Sequence, residues 1–169
     1  MLDLSALSRE DLERLVRAHA RNWLAHDGLW FLDVEEKHGH EEAVEADARV
    51  WDRFAAVEAG RLCREFGIPI GGGLDSLARA LFLRAYATIN RQEILERSAG
   101  RFVFRMNECR VQEARKRAGR KPFGCKPVGL VEFRSFARAV DPRIEVRCVH
   151  CPPDDPPPNA ICTWEFRLP

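Results

Sequence analysis

Apolar side chains recur with helical spacing along the first hundred residues. Leu12, Leu15, Val16, His19 and Trp23 fall on one stripe. Ser8 ahead of Arg9-Glu10-Asp11 predicts the start of that helix. The serine caps free N–H groups, and Asp11 sets negative charge at the positive helix end. The pattern predicts a break near Gly28, a renewed apolar run over Leu29 to Val34, and a turn at Lys37-His38-Gly39-His40. A second helix is predicted over about 41–66, closed by Gly67-Ile68-Pro69. Gly71-Gly72-Gly73 reads as a flexible connector, and a third helix is predicted over about 74–98, stopped by Gly100. Residues 1–100 thus read as helical throughout.

The period then changes. Arg101-Phe102-Val103-Phe104-Arg105-Met106 opens in alternation and predicts a strand. Val111 to Ala118 has helical character, ending at Gly119. Lys126-Pro127 predicts a helix start, with Leu130, Val131, Phe133, Phe136 and Ala137 on its apolar face and Asp141-Pro142 at its end. Residues 144–149 and 161–168 alternate again and are expected to pair antiparallel, despite a loop longer than a hairpin turn. The expectation is a single α+β domain over 1–169, with a helical N-terminal half (1–100) packed on a small antiparallel sheet in a cysteine-rich α+β region (101–169).

Composition adds that this is an ordinary globular chain, with 46% hydrophobic and 31% charged residues. No basic start leads into an apolar run, and no stretch approaches a membrane span. The expectation is a cytoplasmic protein with no membrane partner. The net charge of +1 is unevenly divided: residues 1–100 carry 13 basic and 18 acidic side chains, and residues 101–169 carry 14 and 8. Arg110 to Lys126 holds seven Lys or Arg against Glu113 alone. That segment can attract anions, or help the two halves dock on each other. No base-reading module or phosphate-cradling glycine loop accompanies it, so no nucleic-acid partner is expected.

Cysteine placement carries candidate chemistry. Five of the six cysteines fall in the last 61 residues: Cys109, Cys125, Cys148, Cys151 and Cys162. The last three form a C-x2-C-x10-C array split by a proline-rich insert over 152–158. Grouped thiols in a reducing compartment point to a thiophilic metal. Zinc is expected, held by Cys125, Cys148, Cys151 and Cys162, with Cys109 as the alternative fourth ligand. His150 lies between two candidate ligands. Two other readings compete: buried structural thiols, and a reactive cysteine, for which Cys125 at a helix start beside Lys126 is the best placed. Cys63, inside the second helix, reads as core.

A second constellation lies in the helical half. Asp47, Trp51, Phe54 and Glu58 follow i, i+4, i+7, i+11, so two carboxylates share a stripe with two large aromatics. Trp23, Asp27, Trp30 and Val34 repeat the idea, with His26 beside Asp27. Acids on an apolar stripe must be paired or raised in pKa. His26, Asp27, Asp47 and Glu58 are therefore the candidate catalytic residues. The alternative is structural: Asp27 capping a turn, and Glu58 bridging helices through Arg61 or Arg79.

Several segments are familiar. They include His26-Asp27-Gly28-Leu29-Trp30-Phe31, Trp51, Glu58, Cys109 to Arg115, Cys125-Lys126-Pro127-Val128-Gly129, Asp141-Pro142-Arg143-Ile144, Cys148-Val149-His150-Cys151-Pro152-Pro153-Asp154 and Cys162-x-Trp164-x-Phe166. Over nearly its whole length the chain resembles a family of uncharacterised bacterial and archaeal cytosolic proteins with a cysteine-rich tail. More distantly it is similar to hydrolases of L-2-amino-thiazoline-4-carboxylic acid, which open a cyclic amidine. Its order of elements also resembles 4-vinyl-reductase and transport-particle domains. Those resemblances imply a small-molecule ligand, a possible homodimer, and hydrolysis of a cyclic amidine C–N bond. A metal-bound water or the Cys125 thiolate would attack the ring carbon, and Asp47 or Glu58 would move protons. The alternative is a non-catalytic ligand-binding or protein-interaction module with a structural zinc.

Overall fold

The computed structural model describes residues 2–155, 157 and 159–169; Pro156 and Pro158 of the proline-rich insert lie outside them. Two long helices open the chain, α1 (Arg9–His38) and α2 (His40–Glu65). Ser8 caps α1 as the sequence predicts, its side chain accepting from the Asp11 N–H. The predicted break at Gly28 does not occur. One glycine costs a helix only about 1 kcal/mol, and the stripe either side of it is anchored: Trp23 stacks on Phe54 with ring centroids 5.6 Å apart, and Phe31 packs on Phe123 at 4.7 Å. The helix ends instead at Gly39, whose φ of 90° suits a glycine.

Gly71-Gly72-Gly73 is a pinned turn rather than a flexible connector. Gly73 N–H donates to the fully buried Asp141 carboxylate at 2.9 Å, and Gly71 N–H donates to Val140 O at 2.8 Å. Helix α3 (Gly73–Leu81) follows, but the predicted helix over 74–98 is only its first third. A 3-10 turn at Ala85–Thr88 leads into strand β1 (Arg91–Arg97). Local composition does not favour a strand there. Pairing decides it: β1 runs antiparallel to β2 (Arg101–Glu108), with Ser98-Ala99-Gly100 as the turn. The Glu93 carboxylate accepts from Arg105 and Asn107 across the pair. A charged outer strand of this kind also resists edge-to-edge association.

The remaining elements fall where the sequence puts them: α4 (Arg110–Arg117), α5 (Lys126–Val140), β3 (Glu145–His150) and β4 (Cys162–Arg167). The sheet order is β1-β2-β4-β3, antiparallel throughout. Phe104 pairs with Trp164 and Phe102 with Phe166, so one sheet face is a continuous aromatic surface. Phe133 of α5 packs on it, 4.8 Å from Trp164 and 5.9 Å from both Phe104 and Phe166. Each such buried aromatic contributes about 1.5–3 kcal/mol. Helix α2 covers the other side of α5, and α1 packs outside α2. The α+β class and the packing of N-terminal helices against a small antiparallel sheet are as the sequence predicts, with one strand more.

Charge joins the two halves at a specific point. Arg115 of α4 forms a bidentate pair with Glu35 of α1, at 3.0 and 3.2 Å. The guanidinium beside it holds the Glu35 carboxyl below its usual range. This part of the basic segment serves docking.

Candidate functional site

The helices and the aromatic sheet face leave a cavity of about 520 Å³ between them. Its walls are mainly apolar, with Leu24, Phe31, Trp51, Phe104, Phe133 and Trp164 among them. Into this setting three carboxyls converge from three helices: Asp27 from α1, Asp47 from α2 and Glu132 from α5. Arg84 and Tyr86 enter from the 3-10 turn after α3.

Arg84 is the electrostatic centre. It is 4% exposed, its Nε donates to Glu58 at 2.9 Å, and its Nη1 lies 2.7 Å from Glu132. The guanidinium also lies over the Phe136 ring, 4.8 Å from the centroid. Burial by itself would lower its pKa, but Glu132 and Glu58 outweigh that and keep it charged. Its Nη2 is buried and has no hydrogen-bond partner among the described residues.

Arg84 pairs with Glu58 and Glu132, and Asp27 and Asp47 form no ion pair among the described residues. Burial raises the Asp47 carboxyl to about 7, and the neighbouring Asp27 and Glu132 push it the same way. Burial raises Asp27 too. Glu132 is raised by burial despite its contact with Arg84. Burial, reinforced by Glu132 and Asp27, lifts the Tyr86 phenol well above its ordinary value. Asp47, raised to about 7, is suited to proton transfer near neutral pH.

Four thiols share the same wall: Cys109, Cys125, Cys151 and Cys162. Cys109 and Cys125 are the residues that open α4 and α5. Cys151 follows β3, and Cys162 begins β4. The Cys125 and Cys151 sulfurs are 3.6 Å apart, and Gln112 Nε2 lies 3.6 Å from Cys125 Sγ. Hydrogen bonds from Cys151 and Gln112 lower the Cys125 pKa against the opposing effect of burial. Cys151 is raised in turn by its contacts with Cys125 and Cys162. Burial pushes Cys109 up to about 12.

The proline-rich insert is tied to this wall at its first turn. Lys126 N–H donates to Pro152 O at 3.0 Å. Asp154 accepts from Lys126 Nζ at 2.8 Å and from Cys151 N–H at 3.2 Å.

The structure therefore brings together two of the four catalytic candidates, Asp27 and Asp47. Asp27 is not a cap at a turn, because α1 continues through it. Glu58 is absent from the cavity wall and is paired with Arg84, rather than with Arg61 or Arg79. Arg79 instead donates to Phe66 O. His26 is exposed on α1 and outside the wall, where it accepts from the Trp30 indole at 3.3 Å. Of the expected metal ligands, Cys125, Cys151 and Cys162 share the wall, and the alternative Cys109 joins them. Cys148 lies outside it, on β3 opposite Trp164, with burial pushing its thiol up to about 11. Cys63 is core, 3% exposed. Among the described residues, no three or more His, Cys, Asp or Glu side chains are grouped so as to hold a metal ion.

Glu132, Arg84, Tyr86 and Gln112 were not singled out by sequence. One signal was present: Cys125, Gly129 and Glu132 stand at i, i+4 and i+7 and share a face of α5. Arg84 and Tyr86 had none, because they belong to a short irregular turn.

Fold and site together define an α+β domain with a mixed acid and thiol cavity under its sheet. The chain belongs to the family of unknown function DUF6125, whose match covers residues 5–168. No curated protein and no solved structure shows significant similarity to it. Among the described residues, no helix is long and apolar enough to cross a membrane.

Proposed function

We propose that this protein binds a small cationic molecule, of amidinium or ammonium type, in the cavity and hydrolyses its C–N bond. The observation that carries the reading is Asp47, a carboxyl raised to about 7 in the wall of a cavity with two further acids. Of the two buried guanidiniums in its lining among the described residues, Arg84 is engaged by Glu58 and Glu132 and Arg115 by Glu35. An amidinium would supply the missing positive charge between Asp27 and Asp47. It would also fit the planar, aromatic-walled space.

Cleavage of a cyclic amidine needs a nucleophile at the amidine carbon and a proton for the departing nitrogen. Cys125 supplies the first: its sulfur forms the bond to carbon, and the C=N electrons move onto nitrogen. Asp47, ionised against the bound amidinium, takes the Cys125 thiol proton as the sulfur adds and gives it to the ring nitrogen as the C–N bond breaks. The resulting Asp47 carboxylate takes a proton from the water that displaces the thiolate. This assignment gives the proton-transfer role to Asp47 and leaves Glu58 to hold Arg84. The order of elements, ending in a strand pair that follows a Cys-led helix, supports kinship with 4-vinyl-reductase and transport-particle domains.

A second reading of the thiols is zinc. Two thiolates on a tetrahedral zinc with Zn–S bonds of about 2.3 Å stand roughly 3.8 Å apart. Cys125 and Cys151, at 3.6 Å, match that spacing. Cys162 and Cys109, on the same wall, would have to close on that pair to complete the set, replacing Cys148 in the expected quartet. A zinc held by four thiolates would have no open position, so it would serve structure, tying the starts of α4, α5 and β4 to the end of β3. Metal analysis of untagged protein tests it: this reading, unlike the first, requires about one zinc per chain.

The cation reading is tested by calorimetry with benzamidine, benzamide and benzoate. Benzamidine should bind best, and Asp47→Asn should abolish the preference. Benzoate binding as well as benzamidine would overturn the reading. Turnover of 2-amino-2-thiazoline, lost in Cys125→Ala, tests the hydrolytic step. Benzamidine binding with no turnover of cyclic amidines would leave a non-catalytic binding module.

A further inference from the structure

The two sulfurs that meet in the cavity wall are in different situations. Cys125 is the residue from which α5, a 15-residue helix, begins. It therefore sits at the positive end of the helix dipole, which favours a thiolate. Gln112 Nε2 lies 3.6 Å from its sulfur and donates to Phe123 O at 2.7 Å, so the amide is held in place. Cys151 is 1% exposed, with its backbone N–H fixed by Asp154. Its thiol lies 3.6 Å from Cys125. Both residues line the cavity.

We propose that Cys125 and Cys151 form a working dithiol that reduces small disulfides entering the cavity. The inference goes beyond the cation reading and does not depend on it. Cys125 thiolate attacks one sulfur of the incoming disulfide, the S–S bond breaks, and one thiolate leaves. Cys151 then attacks the Cys125 sulfur of the mixed disulfide. Its proton goes to the second departing thiolate. The net change is one small disulfide reduced to two thiols, and the Cys125–Cys151 pair oxidised to a disulfide. Forming that bond asks the sulfurs to close from 3.6 Å to about 2.05 Å. That closure needs side-chain rotation or a shift of the loop after β3.

The division of labour follows from position. Cys125 has the helix end and the amide donor, so it attacks first. Cys151 is sealed behind it and acts second. Cys148, outside the wall, takes no part, although it is nearer to Cys151 in sequence and has the spacing of a common dithiol motif.

The test uses 2-hydroxyethyl disulfide on the reduced full chain, with mass spectrometry and metal analysis of the same sample. In the wild type, the expected result is loss of two protons' mass and a Cys125–Cys151 cross-link in the peptide map. In Cys151→Ser, the expected result is a stable adduct on Cys125. In Cys125→Ser, Cys151 should stay unmodified over the same time. Circular dichroism and urea melts confirm that each variant is folded, and the wild-type map decides the matter if either is not. Adducts spread evenly over Cys109, Cys125 and Cys148 with no cross-link would overturn the proposal. So would zinc bound at one per chain with all four wall thiols inert until it is chelated.

Discussion

Gly129 lies directly beneath the indole of Trp164: a Cβ at this position would come within 2.6 Å of Trp164 Cζ2. The contact couples α5 to β4 at the cavity wall, since both residues line it. The missing side chain is what lets the largest buried ring of the sheet seat against the helix. Gly129→Ala is therefore expected to overpack the core, although alanine is the better helix former. The expected loss is about 1–3 kcal/mol, read from urea unfolding. A change in tryptophan emission in the folded baseline should accompany it. A stabilised variant would mean that the indole has another place to go.

Arg84 is held between Glu58 and Glu132, and removing it strands both acids. Arg84→Met is expected to cost about 3–5 kcal/mol, the usual consequence of leaving buried charge uncompensated. The loss should shrink as pH falls, because the two carboxyls can then become neutral. The triple variant Arg84→Met, Glu58→Gln, Glu132→Gln should recover much of the stability at neutral pH. Denaturation of the three proteins at pH 5 and pH 7.5 checks both statements.

The raised Asp47 gives a definite sign to the pH dependence. Its folded-state pKa of about 7 exceeds the unfolded value of about 3.9. Between those values the folded state binds more protons, so stability falls as pH rises from about 4 to about 7. Asp47→Asn removes that slope and should be more stable than the wild type at pH 8. Asp141 acts oppositely. Its contacts with Arg143 hold its carboxyl below the usual range. The stability it contributes is present above its unfolded pKa and is lost as pH falls through the depressed folded value. Melting temperature against pH should therefore peak in mildly acidic solution, and Asp47→Asn should move the peak upward.

How much of this was legible in the chain depends on whether a residue belongs to a periodic element. Asp27 and Asp47 were found because each interrupts an apolar helical stripe, and such an interruption has a physical cost. The same logic picked out Glu58 but not its partner, because Arg84 lies 26 residues away in an irregular turn. Strand β1 was missed for a related reason. Arg91-Gln92-Glu93-Ile94-Leu95-Glu96-Arg97 suits a helix locally, and only its pairing with β2 makes it a strand. The tail cysteines were identified by clustering, but their grouping was not. Cys148 and Cys151 are close in sequence, but only Cys151 lines the cavity. Cys109 and Cys151 are far apart in sequence and share it.

Asp154 is the clasp that keeps Cys151 in place. One of its oxygens accepts from the Cys151 N–H at 3.2 Å and from Lys126 Nζ at 2.8 Å. Lys126 and the contacted carboxylate are each more than a third exposed, so the ion pair contributes little to global stability. Its effect is local: it fixes the start of the proline-rich insert against the first turn of α5. Asp154→Ala should therefore lower overall stability by only about 0–1 kcal/mol. Cys151 should nevertheless become accessible, because local opening is governed by local contacts. The expected result is faster alkylation of Cys151 by iodoacetamide under native conditions, with Cys63 in α2 unchanged as the internal control. If both cysteines accelerate together, the substitution has loosened the whole domain. If neither does, Lys126 N–H and Pro152 O, 3.0 Å apart, hold the loop by themselves.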